Sequence, residues 1–180
     1  MVADDPANRW GFDMTLPEHP WHHGELHNLS IQRGTFNAAE RFKVNEHIVQ
    51  TIIMLDSLPL PDHLKKVPTI AGNHHEKLDG TGFPRRLKAS QLSIPERVMV
   101  IADIFEALTA ADRPYKPAKT LSESLGILAQ MARSGHVDPE LFRLFIQTGV
   151  YRHYAQRFLL PEQRDTVDEA ALLDGLPGQA

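Results

Sequence analysis

Hydrophobic periodicity predicts that the middle of the chain is helical. Between residues 37 and 58, apolar residues recur with the spacing of one helix face, at Val44, Ile48, Ile52 and Leu55. Asn37 is placed to cap the start of this helix, and Glu40 three residues later completes a capping box. Pro59 and Pro61 end the pattern, so one long helix is predicted over this stretch.

Further start and stop signals predict four more helical segments. A short helix is expected over 67–76, with Pro68 tolerated in its first turn. Capping boxes at Ser93 and Thr120 begin two longer helices, and Gly135 ends the second of them. Asp138 caps a last helix, which is followed by a short aromatic turn or helix, YRHYAQRF.

The remaining segments lack helical periodicity, and no segment alternates as a strand does. We therefore predict an all-α fold with three regions: an irregular His-rich leader over 1–35, a helical domain over 36–160, and a tail over 161–180. The tail is acidic and then rich in glycine and proline, so we expect it to be partly disordered.

Composition excludes several classes of protein. Of 180 residues, 23% are charged and the net charge is −4, so nothing in the overall charge favours DNA as a partner. The chain has no cysteine, which excludes a disulfide scaffold, a zinc ribbon and a thiolate nucleophile. No apolar run approaches the roughly 20 residues of a membrane span, and the N-terminus lacks the features of a signal peptide. We predict a cytoplasmic protein.

The segment AGNHHEKLDGTGFPRRL, from residue 71, concentrates unusual chemistry. His74 and His75 are adjacent in it and close the predicted helix over 67–76. Successive helical residues project about 100° apart, so a single ion rarely takes both imidazoles. Two neighbouring ions, or one ion and a substrate phosphate, would use both. The alternative is a surface pair that caps the helix C-terminus.

Asp103 and His47 are further candidates. Asp103 interrupts the apolar run VMVIADIFEAL, and a buried carboxylate needs a metal, a cation or hydrogen-bond donors. The alternative is a structural salt bridge to Arg97 or Arg113. His47 lies on the flank of the buried stripe of its helix, where a lone histidine is usually a hydrogen-bonded core residue.

Two cationic residues and a glycine-containing turn are the remaining candidates for a functional site. Arg113 and Lys116, in DRPYK, could grip a phosphate, although a solvated basic loop is the simpler interpretation. The turn from Gly80 to Pro84 allows close backbone approach to a ligand, although most such turns are only turns. Together these residues predict metal-assisted phosphodiester hydrolysis. A nucleotide-binding glycine loop, a G-x-S-x-G elbow and an H-E-x-x-H motif are all absent from the sequence.

The two motifs HHEKLDGTGFP and IADIFEALTAADRPYK, in this order, closely resemble the HD-GYP branch of the HD phosphohydrolases over about residues 29–160. The resemblance implies an HD-domain-like helical bundle around two or three iron or manganese ions, and hydrolysis of cyclic di-GMP. It assigns the metal ligands to His47, His74, His75 and Asp103. It assigns substrate contacts to Gly82, Phe83, Pro84, Arg113 and Lys116, with phenylalanine in place of the tyrosine of the GYP signature.

The sequence departs from this family in its first part. No adjacent His-Asp pair occurs anywhere in the chain, and the nearest positional candidate is His27-Asn28, whose neutral amide cannot supply a bridging negative charge. The helices that precede the family's His-Asp pair have no counterpart either. We therefore expect a bundle that is incomplete at its N-terminal side and corresponds to the C-terminal half of the domain. The histidines of EHPWHHGELH have no helical frame to hold them in place of the lost ligands.

Three interpretations follow. The first is a phosphodiesterase that a second chain or a self-dimer completes. The second is a non-catalytic remnant that binds a cyclic dinucleotide or a signalling protein, and the third is a fragment of a longer gene product. An incomplete bundle should also leave apolar surface uncovered on the helices of His47 and Asp103, which predicts oligomerisation or low stability.

Overall fold

The computed structural model describes residues 6–17, 37–111 and 118–178, and within these ranges all regular secondary structure is helical. The eight α-helices are α1 Ala38–Asn45, α2 His47–Asp56, α3 Val67–Gly72, α4 Ile94–Thr109, α5 Leu121–Arg133, α6 Pro139–Gln147, α7 Val150–Phe158 and α8 Glu169–Leu173. Short 3₁₀ turns cover Asp62–Leu64, Ala89–Gln91 and Pro161–Gln163. An isolated bridge between Asp79 and Lys88 is the one β feature of these ranges. The all-α prediction is confirmed.

Local side chains cap the helix starts as predicted. Asn37 Oδ1 accepts a hydrogen bond from the Glu40 N–H, and the Glu40 carboxylate accepts one from the Asn37 N–H, each at 2.8 Å. Ser93 and Thr120 begin α4 and α5 with capping boxes of the same kind. These reciprocal bonds satisfy amide groups that a helix start leaves unpaired.

The helix predicted over 37–58 is divided in the structure. α1 ends at Asn45 and α2 begins at His47. The intervening Glu46 keeps helical angles, so the division is local. The predicted buried stripe is also wrong at Val44, which is 49% exposed. The cause is tertiary packing, because the apolar partners from the start of the chain contact the buried residues of α2 and leave Val44 outside.

The helix predicted over 67–76 is shorter than expected. It ends at Gly72, and Asn73 has left the helical region with a φ of −107°. The Asn73 side chain is engaged elsewhere, because it donates to Glu96 and accepts from Arg85. His74 and His75 therefore lie in the turn after α3, and the 100° spacing of helical neighbours does not apply to them.

Buried apolar residues form two clusters that α3 connects. The smaller cluster joins the N-terminal segment to α2, through Phe12, Met14, Ile48, Val49 and Ile52. The larger cluster lies among α4 to α8 and includes Leu125, Leu128, Phe142, Ile146 and Tyr151. Because α3 packs against both α2 and α4, it fixes the position of one cluster relative to the other. None of the described helices is long and apolar enough to cross a membrane.

Both ends of the described chain are part of the packed structure. Residues 6–17 are irregular, as predicted, but Phe12 is buried against α2. The partial disorder predicted for the tail is not what the structure shows for 161–178. Leu172 of α8 is buried in the larger cluster, and Arg133 donates to the carbonyl groups of Ala171, Leu172 and Asp174. The apolar side chains of the tail bind it to α5 despite its acidic composition. The three domain boundaries stay a prediction.

Five exposed apolar side chains lie on or just beyond the helices that carry the candidate ligands. They are Met54 on α2, Leu58 just after its end, and Ile94, Val98 and Met99 on α4. Each of these side chains is between 39% and 65% exposed. Exposed apolar side chains also occur on α6 and α7.

Gly72 should be intolerant of a side chain. A Cβ atom there would overlap Ile52 of α2 more closely than real Cβ atoms approach their neighbours. We expect Gly72→Ala to lower the free energy of unfolding by about 1–3 kcal/mol. Gly126→Ala is the control, because a Cβ on that α5 residue meets nothing within 4 Å and should stabilise the helix by about 0.5–1 kcal/mol. Urea denaturation measures both, and a Gly72→Ala variant as stable as wild type would contradict this packing.

Candidate metal centre

Three histidines converge where α2 meets the turn after α3. Each of His47, His74 and His75 offers a ring nitrogen, and these atoms lie within 4.8 Å of one another. The Nε2 atoms of His47 and His75 are 3.3 Å apart. The packing of α3 on α2 brings together residues that are 28 positions apart in the sequence.

Backbone carbonyl groups set the orientation of two of the imidazoles. His47 Nδ1 donates to the carbonyl oxygen of Val44, and His74 Nδ1 donates to that of Ala71. A carbonyl oxygen can only accept, so Nδ1 carries the proton in each ring and Nε2 keeps its lone pair. An outer hydrogen bond of this kind is the usual support for a metal-binding histidine.

His75 is held in the neutral state. Burial is the main cause that lowers its pKa to about 4, and the neighbouring His74 and His47 act in the same direction. Asp103 opposes them by raising the pKa of His75. A neutral imidazole is the form that binds a metal, so His75 does not need to lose a proton at pH 7.

Asp103 lies close to this cluster without being a member of it. Its half-buried side chain is on α4 and acts electrostatically on His75. Within the described ranges, the group of mutually close ligand atoms contains the three histidines and not Asp103. Arg97, one of its two predicted salt-bridge partners, instead pairs with Asp138 at 3.0 Å.

The predicted turn residues pack directly on the cluster. The Phe83 ring stacks on the His75 ring, with centroids 4.8 Å apart and planes 26° apart. Gly82 is buried, and a Cβ there would overlap the backbone of Glu76. The close approach predicted for the turn is thus to the protein's own backbone at Gly82. Pro84 is also buried and follows a cis peptide bond.

A buried carboxylate organises this turn, and sequence reasoning did not identify it. Glu76 is 0% exposed and accepts hydrogen bonds from the backbone N–H groups of Arg85, at 2.6 Å, and Leu87, at 2.9 Å. Burial raises the pKa of Glu76, and these hydrogen bonds oppose that rise. The side chain of Arg85 also donates to Asn73, which precedes the two histidines. The one sequence signal that could have identified Glu76 is its position directly after the histidine pair.

Arg113 and Lys116, the proposed phosphate contacts, lie outside the described residues, and so do His27 and Asn28. Their roles stay predictions from the sequence.

His47 and His75 fit a shared divalent metal ion, and His74 offers a ring nitrogen within 4.8 Å of both. Two nitrogens bound to one ion at about 2.1 Å can be at most about 4.2 Å apart, and the separation of 3.3 Å between His47 Nε2 and His75 Nε2 lies within that limit. Imidazole nitrogens with a nearby carboxylate suit manganese, iron or zinc. The arrangement defines the class of protein: an all-α fold with a candidate histidine metal centre between two helices.

Comparison with known proteins identifies the family. The model of the HD domain family matches residues 1–141, so the chain belongs to that family. The family is metal-dependent, and the relatives place this chain with the HD-GYP proteins that the sequence resembles.

The curated relatives are phosphodiesterases of cyclic dinucleotides. 3′3′-cGAMP-specific phosphodiesterase 1 of Vibrio cholerae is 42% identical over 77 residues, which cover 43% of this chain and 18% of that protein. 3′3′-cGAMP-specific phosphodiesterase 3 of the same organism is 38% identical over 61% of this chain and 23% of that protein. A cyclic di-GMP phosphodiesterase of Pseudomonas aeruginosa is 39% identical over 44% of this chain and 19% of that protein. The chain thus matches about a fifth of the length of each.

Loss of a cluster imidazole should weaken metal binding. We expect His47→Ala and His75→Ala each to lower the affinity for Mn²⁺ by about tenfold or more, because each removes a donor atom from the centre. His63→Ala is the matched control, since His63 lies in the exposed turn Asp62–Leu64. Titration calorimetry with Mn²⁺ under anaerobic conditions measures the affinities. Equal Mn²⁺ binding by all four proteins would show that the cluster is not a metal centre.

Glu76 should stabilise both the fold and the site. We expect Glu76→Gln to lower the free energy of unfolding by about 1–3 kcal/mol, because the amide group cannot accept from both backbone N–H groups as the carboxylate does. Mn²⁺ affinity should fall as well, since His75 precedes Glu76 directly. Glu106→Gln, on the exposed side of α4, is the control. Wild-type stability of Glu76→Gln in urea denaturation would contradict this role.

Proposed function

We propose that this chain is the metal-binding part of an HD-GYP-type phosphodiesterase that hydrolyses cyclic di-GMP. The observation that carries the proposal is the cluster of three imidazoles, two of them with Nε2 directed by backbone hydrogen bonds. The names of the relatives support the substrate class, and 3′3′-cGAMP is the competing substrate because two of these relatives are specific for it.

The proposal gives each site residue a role. His47, His74 and His75, with Asp103, would hold two or three iron or manganese ions. Such ions supply Lewis acidity that stabilises the charge developing on a phosphoryl group. Phe83 covers one side of His75 and presents an aromatic ring beside the centre. Arg113 and Lys116 would bind the substrate phosphates.

We further propose that a second chain or a second copy of this one completes the centre. His47 is exposed, so the histidine cluster is open on the side of α2. Met54, Leu58, Ile94, Val98 and Met99 are exposed apolar side chains on or near α2 and α4, the helices that carry His47 and Asp103. A partner that covers them would remove apolar surface from water.

A second candidate function is a non-catalytic module that binds a cyclic dinucleotide or another protein. The absence of an adjacent His-Asp pair from the 180-residue sequence favours it. The position of Asp103 outside the group of close ligand atoms also favours it. In this case the centre would bind metal or nucleotide without turnover.

Turnover separates the two functions. We expect the Mn²⁺-loaded chain to hydrolyse cyclic di-GMP, and we expect His75→Ala to reduce the rate at least about 100-fold, because it removes a donor from the centre. His63→Ala should leave the rate unchanged. Anion-exchange chromatography of the products measures hydrolysis, and light scattering of the same samples reports whether active protein is a monomer or a dimer.

The outcomes are distinct. Hydrolysis that needs His75 and Mn²⁺ supports the phosphodiesterase. Binding of cyclic di-GMP without hydrolysis, at every protein concentration and metal tested, supports the non-catalytic module. A fully active monomer would contradict completion of the site by a second copy.

A further inference from the structure

Arg86 adopts a backbone conformation that residues with a Cβ atom rarely occupy. Its φ of 54° lies in the left-handed region, and it is the one non-glycine residue with positive φ in the described part of the chain. Glycine would adopt this conformation without cost. Non-glycine residues in such conformations often cluster at functional sites, so the role of the Arg86 side chain needs an explanation.

The Arg86 side chain lines a cavity of about 730 Å³. This volume is within the range of small-molecule sites. The N-terminal segment, α1 and the turn form the walls, which include Asp13, Arg41, Phe42, Asn45 and Phe83. Phe83 also stacks on His75, so the cavity adjoins the candidate metal centre. None of the three histidines lines the cavity, so a ligand bound at the centre would reach the cavity past the Phe83 ring.

Arg86 and Asp13 form a half-exposed ion pair that lines this cavity. Arg86 Nε is 3.7 Å from Asp13 Oδ2, and Arg86 Nη2 donates to Thr15 Oγ1 at 2.6 Å. The backbone N–H of Asp13 donates to the carbonyl oxygen of Pro84 at 2.6 Å, which joins the segment to the turn. A guanidinium group has five N–H donors, more than these two contacts use.

This pair matches guanine better than adenine. Guanine presents two acceptors, O6 and N7, to which an arginine binds in a bidentate manner, and its N2 amino group is a donor for a carboxylate. Adenine presents a donor, its N6 amino group, in place of the O6 acceptor. The rings of Phe42 and Phe83 can contact a base, and Arg41 adds a positive charge to the same cavity.

We propose that the cavity is a guanine-recognition subsite in which Arg86 contacts O6 and N7, and Asp13 the N2 amino group, of one base of the cyclic dinucleotide. The inference rests on the proposed function for the identity of the ligand, and it adds the residues that select the base. Both cyclic di-GMP and 3′3′-cGAMP carry a guanine, so the subsite accepts either, whereas cyclic di-AMP offers none.

The substitution Arg86→Gly tests the proposal without damage to the fold. It removes the guanidinium group and relieves the left-handed backbone, so the melting temperature should be equal to or above that of wild type. Binding is measured by calorimetry on the full chain loaded with Mn²⁺. The probes are phosphorothioate analogues of cyclic di-GMP and cyclic di-AMP, which resist hydrolysis. We expect wild type to prefer the guanine analogue by at least about tenfold and Arg86→Gly to lose most of that preference.

Arg157→Ala is the matched control, because Arg157 is an exposed cation of α7, a helix that contributes no residue to the cavity. It should keep the wild-type preference. If Arg86→Gly retains the preference, or if wild type shows none, the subsite is overturned. A lower melting temperature of Arg86→Gly with unchanged preference would assign Arg86 to the attachment of the N-terminal segment instead. Guanine preference without any hydrolysis would support the subsite and count against the phosphodiesterase. Hydrolysis without guanine preference would support the phosphodiesterase and overturn the subsite.

Discussion

The buried carboxylate of Glu76 is the constraint on which the candidate centre depends. A carboxylate that is 0% exposed must have donors, and the backbone N–H groups of Arg85 and Leu87 supply them. Meeting that requirement folds the chain back on itself between Glu76 and Leu87. The fold-back places Phe83 on His75 and directs Arg86 toward the cavity. The turn between Glu76 and Leu87 therefore contributes residues to both the metal centre and the cavity.

The same network connects this turn to the rest of the molecule. Arg85 donates to Asn73 and to the backbone oxygen of Trp10, and Asn73 in turn donates to Glu96 at the start of α4. The N-terminal segment, the end of α3 and the start of α4 thus meet in one set of buried polar contacts. The packing of α3 on α2 then brings His47 to the histidine pair. A change in any of these elements should therefore alter the positions of the imidazoles.

Local signals were enough to predict the capped helix starts and the end of α5 before Gly135, but not the break before His47 or the end of α3. The capping boxes at Asn37, Ser93 and Thr120 involve residues three positions apart, and the structure forms each of them. The end of α3 depends on contacts of Asn73 with residues 12 and 23 positions away. The order of the tail depends on Leu172 packing in the larger cluster. No periodicity within a short window contains that information.

Some residues of the candidate site could likewise be predicted from the sequence, and others could not. The histidines were recognisable because their motif resembles a known family, and the structure brings three of the four proposed ligands together. Arg86 and Asp13 were not recognisable, because their pairing joins residues 73 positions apart, and the left-handed conformation of Arg86 leaves no mark in the sequence. Glu76 was visible only as an acidic residue of the motif, without its partners.

The central claim is that His47, His74 and His75 bind a divalent ion, and anomalous X-ray diffraction from crystals grown with Mn²⁺ tests it most directly. We expect a manganese peak at about 2.0–2.3 Å from the Nε2 atoms of these histidines. A map in which His47 Nε2 and His75 Nε2 stay in direct hydrogen-bond contact, with no anomalous peak between them in saturating Mn²⁺, would contradict it.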